Sequence, residues 1–182
     1  MRVISGNARG TLLKTPEGMV TRPTADRVKE AMFSIIQFEL PSKRVLDLFG
    51  GTGQLGIEAI SRGAASAVFV DESDKACRLI AENLKRTHMD QQAKVVRSDF
   101  ASYLKSTSEK FDIIILDPPY AEVFLEKAIK IITEIDILQS GGIIVSERPA
   151  DKPLVLEFPN YIRSRDYKYG NTVLTFYRKE SV

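Results

Sequence analysis

The chain has 182 residues, 43% of them hydrophobic and 27% charged, with a formal net charge of +2. That length and balance fit one globular domain with a sizeable core, and so mild a charge does not by itself mark a nucleic-acid binder. A single cysteine, Cys77, excludes an internal disulfide and fits a reducing compartment; no segment resembles a signal peptide or reaches the ~20 apolar residues of a membrane span, so a cytoplasmic monomer is expected.

Along the chain, residues 1–21 hold the strand-like RVISG and TLLKT around the turn NARG, which predicts a small β-hairpin extension. Basic residues crowd this opening: Arg2, Arg9, Lys14, Arg22, Arg27 and Lys29. Such a cluster suits phosphates, although a solvated face is the commoner meaning. Residues 22–182 form the expected core. TRPTADRVKEAMFSIIQFEL reads as a helix with Thr24 as N-cap and Val28, Met32, Ile35 and Ile36 at helical spacing.

From residue 44 short apolar runs alternate with helical stretches. RVLDLF, SAVFVD, AKVVRSD, FDIIILD and GGIIVSE read as strands; LGIEAISRG, SDKACRLIAENLKRT, FASYLK and EVFLEKAIKIITEI read as helices. That alternation predicts an α/β fold with a mostly parallel sheet and helices on both faces. No helix is expected between GGIIVSE and NTVLTFYRK, so these two should pair as an antiparallel C-terminal hairpin. Cys77 reads as a small buried residue of a helix, and His88 as a solvated helix end. Glu147, Arg163 and Arg165 have no direction that the sequence can assign.

LDLFGGTGQLGIEA, residues 46–59, carries G-x-G-x-x-G at Gly51, Gly53 and Gly56, and Asp71 follows at the end of the next strand. This is the pattern of a nicotinamide-dinucleotide site, which makes an NAD-dependent oxidoreductase one reading. Asp47 points elsewhere. A carboxylate just ahead of the glycines gains nothing from an anionic pyrophosphate, whereas it favours the ammonium of S-adenosylmethionine. Asp71 suits ribose hydroxyls in either cofactor, and Glu72 is placed to share that role. Asp99, ending AKVVRSD, is either a third ligand contact across the strand ends or the N-cap of the helix after it.

FDIIILDPPY, residues 111–120, is the most specific stretch. An apolar strand delivers Asp117 to its carboxyl end, and two prolines then stop both helix and strand. Asp117 and the Pro118 carbonyl become two fixed acceptors, suited to an exocyclic amino group, and Tyr120 offers a face on which a base can stack.

These segments together resemble the S-adenosylmethionine-dependent methyltransferases that modify amino groups through an (Asp/Asn)-Pro-Pro-(Tyr/Phe) motif. The whole chain is similar to the bacterial 16S ribosomal RNA guanine-N2 methyltransferase family (RsmD). RVISGNARG, RPTADRVKEAMFSII, VLDLFGGTGQLGIEAISRGA, DPPY and KYGNTVLTFYR carry the likeness. It implies a Rossmann-like class I methyltransferase fold and S-adenosyl-L-methionine as cofactor, without metal. It also implies methyl transfer to N2 of a guanine of the guanine-966 type, in 16S rRNA of the small subunit or of an assembly intermediate.

On that resemblance the catalytic residues are Asp117, Pro118 and Tyr120. The cofactor contacts are Asp47, Phe49, Gly50, Gly51, Gly53, Asp71, Glu72, Asp99, Phe100 and Asp117. The RNA contacts are Arg2, Arg9, Arg22, Arg27 and Tyr120. The sequence departs from the family pattern in having Asp71 where Glu is common, and Thr52-Gly53-Gln54 in place of a smaller Ser-Gly-Ala type loop. A DNA adenine-N6 methyltransferase shares the D-P-P-Y logic, but 182 residues leave little room for a target-recognition region. A non-catalytic RNA-binding module would not need the complete pocket.

Overall fold

In the computed structural model, which describes residues 1–16, 23–119, 121–154 and 157–181, the alternation of apolar runs becomes a parallel sheet layered by helices. Helix α1 (Pro23–Ile36) leads into β1 (Arg44–Asp47), α2 (Gln54–Ser61), β2 (Ser66–Asp71), α3 (Asp74–Arg86) and β3 (Ala93–Arg97). Then follow α4 (Phe100–Ser106), β4 (Phe111–Leu116), α5 (Ala121–Ile135) and β5 (Leu138–Pro149). Strands β3, β2, β1, β4 and β5 lie side by side in that order, all parallel. The chain thus winds outward in one direction from β1 and in the other from β4, and the crevice between those strands is the switch point of the sheet.

Local chemistry sets the helix starts. The Ser73 hydroxyl accepts from the Ala76 N–H to begin α3, and the Asp99 carboxylate accepts from the Ser102 N–H to begin α4. α1 starts at Pro23, whose missing N–H is no loss at a first helical position. Thr24 therefore lies inside the helix rather than at the N-cap expected for it.

Strand side chains alternate between two apolar layers. Val45, Phe69, Ile113, Ile115 and Val145 pack with Val28, Met32, Phe33, Ile57, Ile80 and Leu84 of α1, α2 and α3. Leu46, Val68, Ile114, Leu116 and Ile144 pack on the opposite face with Leu104 of α4 and Leu125, Ile129 and Ile132 of α5. Both faces are covered, as the continuous apolar runs require.

The chain's last stretch is richer than the expected hairpin. β8 (Thr172–Lys179) pairs antiparallel with β5, as anticipated, but two short strands, β6 (Tyr161–Arg163) and β7 (Tyr167–Tyr169), cover its outer edge. Three residues are too few to show a period of two, which is why YIR and YKY pass for loop in the sequence.

At the other end, the two segments expected to form a hairpin do pair antiparallel around their turn, but through one bridge, Arg2 to Leu12, and bonds such as Val3 N–H to Thr11 C=O at 3.0 Å rather than as two regular strands. The stability of this folded-back loop comes from α2. The fully buried Glu58 carboxylate accepts from the Ile4 and Ser5 N–H groups at 2.8 and 3.0 Å and from Arg62 at 2.8 Å, with the Lys29 ammonium 3.7 Å away. Lys29 also donates to the Arg2 carbonyl. It is a buried counter-charge, and so leaves the basic surface cluster to which the sequence had assigned it. Lys14 is likewise engaged, with Glu82 at 2.6 Å, whereas Arg2, Arg9 and Arg27 are exposed. Arg22 lies outside the described residues. Cys77 is half-buried rather than buried, and His88 is exposed with φ +57° just past α3.

Of the three patterned glycines, Gly56 serves packing. A Cβ there would lie 2.3 Å from the ring of Phe69, itself fully buried in β2. Gly56→Ala is expected to lower unfolding free energy by roughly 1–3 kcal/mol, as overpacking does, measured by urea denaturation. Phe69→Leu in the same chain should recover part of that loss.

Candidate functional site

Each parallel strand ends in, or just before, a carboxylate. Asp47 closes β1, Asp71 closes β2, Asp99 follows β3, Asp117 follows β4, and Glu147 lies near the end of β5. Because parallel strands end at one edge, the topology collects acids that are up to a hundred residues apart in sequence. A groove of about 1290 Å³ opens along this edge. Phe49, Gly50, Gly51, Asp71, Glu72, Asp99, Phe100, Asp117 and Pro118 all line it.

The remaining expected cofactor residues stand back from the surface. Asp47 is buried beneath the groove and does not line it. Its Oδ2 accepts from the Gly56 N–H at 3.0 Å, which holds the start of α2 against β1, while Oδ1 has no hydrogen-bond partner among the described residues. Gly53 also faces inward. It precedes α2 with φ +79°, and a Cβ would come within 3.2 Å of Ile80. Gly51, at φ +56°, makes the turn itself, and its N–H donates to Asp71 Oδ2 at 2.8 Å. Asp71 Oδ1 accepts from the Ser73 N–H at 2.9 Å, so this carboxylate ties the glycine loop to the end of β2 and still has lone pairs toward the groove.

Asp99 caps α4 and also lines the groove. The Ser102 bonds hold its carboxyl below the ordinary value, leaving it an acceptor. Beside it the rings of Phe49, Phe100 and Phe124 form an aromatic wall with centroid separations of 5.3–6.2 Å. Phe124 was not anticipated. It belongs to α5, where an aromatic at helical spacing reads as core. Asn83 was missed too: buried on α3, it bonds Lys14 on both amide atoms and donates to the Thr52 carbonyl at 2.9 Å, joining the opening loop to the groove rim. A lone polar residue in an amphipathic helix carries no signal of such a clamp.

At the end of β4, Asp117 is half-buried, Pro118 buried and Pro119 exposed, all three lining the groove. Tyr120 lies outside the described residues. Burial raises the Asp117 carboxyl above its ordinary value. Burial, with the nearby Asp117 charge, raises Glu147 in the same direction. Asp47 is pushed up to about 7, first by burial and then by the charges of Asp117 and Asp71, against the Gly56 N–H. Among the described residues none of these three has an ion-pair partner. The groove floor therefore favours a ligand that brings positive charge, and an S-adenosylmethionine, with its sulfonium and ammonium groups, fits it better than a pyrophosphate would. Asp71 and Glu72 present acceptors for ribose hydroxyls, while Asp99 and the phenylalanine wall suit a flat base with an amino group.

Arg163 and Arg165, unplaced by the sequence, do not line the groove and have local partners: Arg163 bonds Asp166 at 2.7 Å, and Arg165 stacks 5.1 Å over the Tyr167 ring. Among the described residues no cluster of His, Cys, Asp and Glu is arranged to hold a metal ion, and no helix is long and apolar enough to cross a membrane.

The strand order, the antiparallel strand beyond β5 and the groove at the switch point define a Rossmann-like class I methyltransferase fold. The chain belongs to the family described as Conserved hypothetical protein 95, whose model matches residues 1–178. The Bacillus subtilis protein YlbH is 39% identical to it over 182 residues, covering 98% of this chain and 99% of its own. Ribosomal RNA small subunit methyltransferase D of Escherichia coli is 30% identical over 181 residues, covering 100% of this chain and 91% of its own. A solved E. coli structure superposes with a TM-score of 0.90 at 28% identity, over 100% of this chain and 99% of that one. By fold and kinship the chain is a methyltransferase.

The raised Asp47 carboxyl has a consequence for stability without ligand. In the unfolded chain it ionises near 3.8, in the folded chain near 7. Between those values the folded state holds a proton that the unfolded state has lost, so rising pH works against folding. The loss begins near pH 4, is complete above pH 7, and is on the order of 4 kcal/mol. Asp47→Asn keeps an oxygen for the Gly56 N–H and removes this titration. Urea unfolding across pH 4–8 should fall less steeply for the variant, and equal slopes would contradict the assignment.

Proposed function

We propose that the chain transfers a methyl group from S-adenosylmethionine to the exocyclic N2 amine of a guanine in 16S rRNA. The observation that carries this reading is the Asp117-Pro118-Pro119 corner at the switch point, beside a groove whose buried acids lack a counter-charge. The kinship with a small-subunit rRNA methyltransferase supports the RNA class of substrate.

When bound, the cofactor supplies an electrophilic methyl group on a positive sulfur. The residues supply orientation. Asp117 and the Pro118 carbonyl accept the two hydrogens of the target amine, which draws its lone pair out of conjugation with the ring and directs it toward the methyl carbon. A fixed approach of that kind contributes up to ~7–11 kcal/mol in favourable cases. The nitrogen becomes positive as its new bond forms and then sheds a proton, which Asp117 is placed to receive at its carboxylate. Pro118 and Pro119 keep these acceptors from relaxing. Tyr120 supplies the stacking face for the base, and Asp47, through the Gly56 N–H, holds the glycine loop in register.

Arg2 and Arg27 adjoin Met1 and Asp26, which line the groove, and Arg9 stands exposed in the folded-back loop. These three, with Arg22, are the RNA-backbone contacts in this reading. A DNA adenine-N6 activity has no specific observation in its favour, and a dinucleotide oxidoreductase gains nothing from the Asp117 corner.

Asp117→Ala should lose about 100-fold or more in methyl incorporation into small ribosomal subunits, with S-adenosylmethionine affinity held within a few-fold. Tritium transfer and calorimetry measure the two quantities. Incorporation within a few-fold of wild type would remove Asp117 from its role. Arg2→Ala, Arg9→Ala and Arg27→Ala should each weaken RNA binding and reduce the slope of log affinity against log salt by about one. An unchanged slope would exclude that residue as a phosphate contact.

A further inference from the structure

Glu147 has no place in the site read from the sequence, yet the sheet sets it beside Asp117. β4 and β5 are parallel and Leu116 pairs with Ser146, so Asp117 and Glu147 are the next residues of adjacent strands. They also share a face. Ile115 and Val145, two residues earlier, both belong to the layer packed under α1, α2 and α3. Asp47, paired with Ile115 across the other flank of β4, faces the same side.

The surroundings give this carboxyl nothing to bond. Its antiparallel neighbour on β8 is the buried Leu174, and beyond that on β7 stands Tyr167, whose ring packs edge-on against Phe176. Among the described residues no side chain or backbone donor reaches Glu147, and no cation pairs with it. A half-buried carboxyl without partners, next to another acid, is costly to the fold. Glu147 does not line the groove itself; it stands one strand further out than Asp117, on the same face, beside the position that the target amine takes in the guanine-N2 reading.

The chemistry of purines supplies the donor. In guanine the ring atom next to the exocyclic amine is N1, which carries a hydrogen. In adenine, and in 2-aminopurine, the corresponding ring nitrogen carries only a lone pair. We propose that Glu147 reads the target base by accepting the guanine N1–H, while Asp117 and the Pro118 carbonyl hold the N2 amine. This assignment deepens the guanine-N2 reading above and rests on it. Once Glu147 is ionised, above the value of about 8 to which burial and the Asp117 charge raise it, a base lacking the N1 hydrogen sets lone pair against carboxylate, and a buried site built for a donor discriminates strongly against an analogue without it. Asp117 alone cannot make this distinction, because both guanine and 2-aminopurine offer it the same amine.

The test uses small subunits reconstituted with 16S rRNA in which the methylated guanine, once mapped, is replaced by 2-aminopurine. The amine to be methylated is present in both substrates; only N1–H and O6 are lost. Wild type should prefer guanine by about 100-fold or more in kcat/KM. Glu147→Gln, whose amide donates as well as accepts, should reduce that preference at least tenfold, chiefly by gaining rate on 2-aminopurine. A structural role for Glu147 would lower both rates together and leave their ratio alone. Wild-type rates within threefold on the two substrates, or an unchanged ratio in the variant, would overturn the assignment. Label found elsewhere than on guanine N2 in unmodified subunits would overturn the underlying reading, and this one with it.

Discussion

Carboxylates gathered at the carboxyl edge of a parallel sheet, without cations among the described residues to balance Asp47, Asp117 and Glu147, are the constraint from which the site follows. Asp47 shows it most plainly. Its carboxyl is buried, one oxygen holds α2 by the Gly56 N–H, and the other has no hydrogen-bond partner among the described residues. Such a group is expensive to bury in its charged form, and burial holds the carboxyls of Asp47, Asp117 and Glu147 above the ordinary carboxylate range. The cost is reversed by a cation in the groove, since a positive ligand restores the ionised form and tightens the bonds that position the glycine loop. The same acids would repel a pyrophosphate. The glycine pattern does not choose between cofactors; the acid beneath it does.

Much of this was legible in the sequence because it depends on local patterns. The five apolar runs, the helices between them and the antiparallel return were visible as periodicity, and the D-P-P corner announced itself by two prolines after a buried strand. The Asp99 cap was read as an alternative to a ligand contact, and it proves compatible with a place in the groove. What escaped was nonlocal. Glu58 as the anchor of the opening loop, Asn83 as a clamp between Lys14 and Thr52, and Phe124 in the aromatic wall all act on residues far along the chain. Lys29 looked like one more surface cation and instead neutralises Glu58 in the interior. Glu147 could be placed only once the register of β4 and β5 set it beside Asp117.

The opening loop and the groove form one mechanical unit. Glu58 and Ser61 of α2 bind the loop, Gly56 of the same helix binds Asp47, and Asn83 of α3 joins loop to rim. The exposed arginines of the loop are thereby held at a fixed distance from the Asp117 corner. Burial of the Glu58 network favours a rigid platform over a tethered arm, so phosphate contacts made there can help to set the position of a base at the corner.

The most direct test is to incubate small ribosomal subunits lacking native methylation with the enzyme and trideuteromethyl-labelled S-adenosylmethionine, digest the rRNA to nucleosides and analyse them by mass spectrometry. Label is expected in N2-methylguanosine from 16S rRNA. Label in N6-methyladenosine or another nucleoside, or none in the rRNA, would contradict the guanine-N2 assignment.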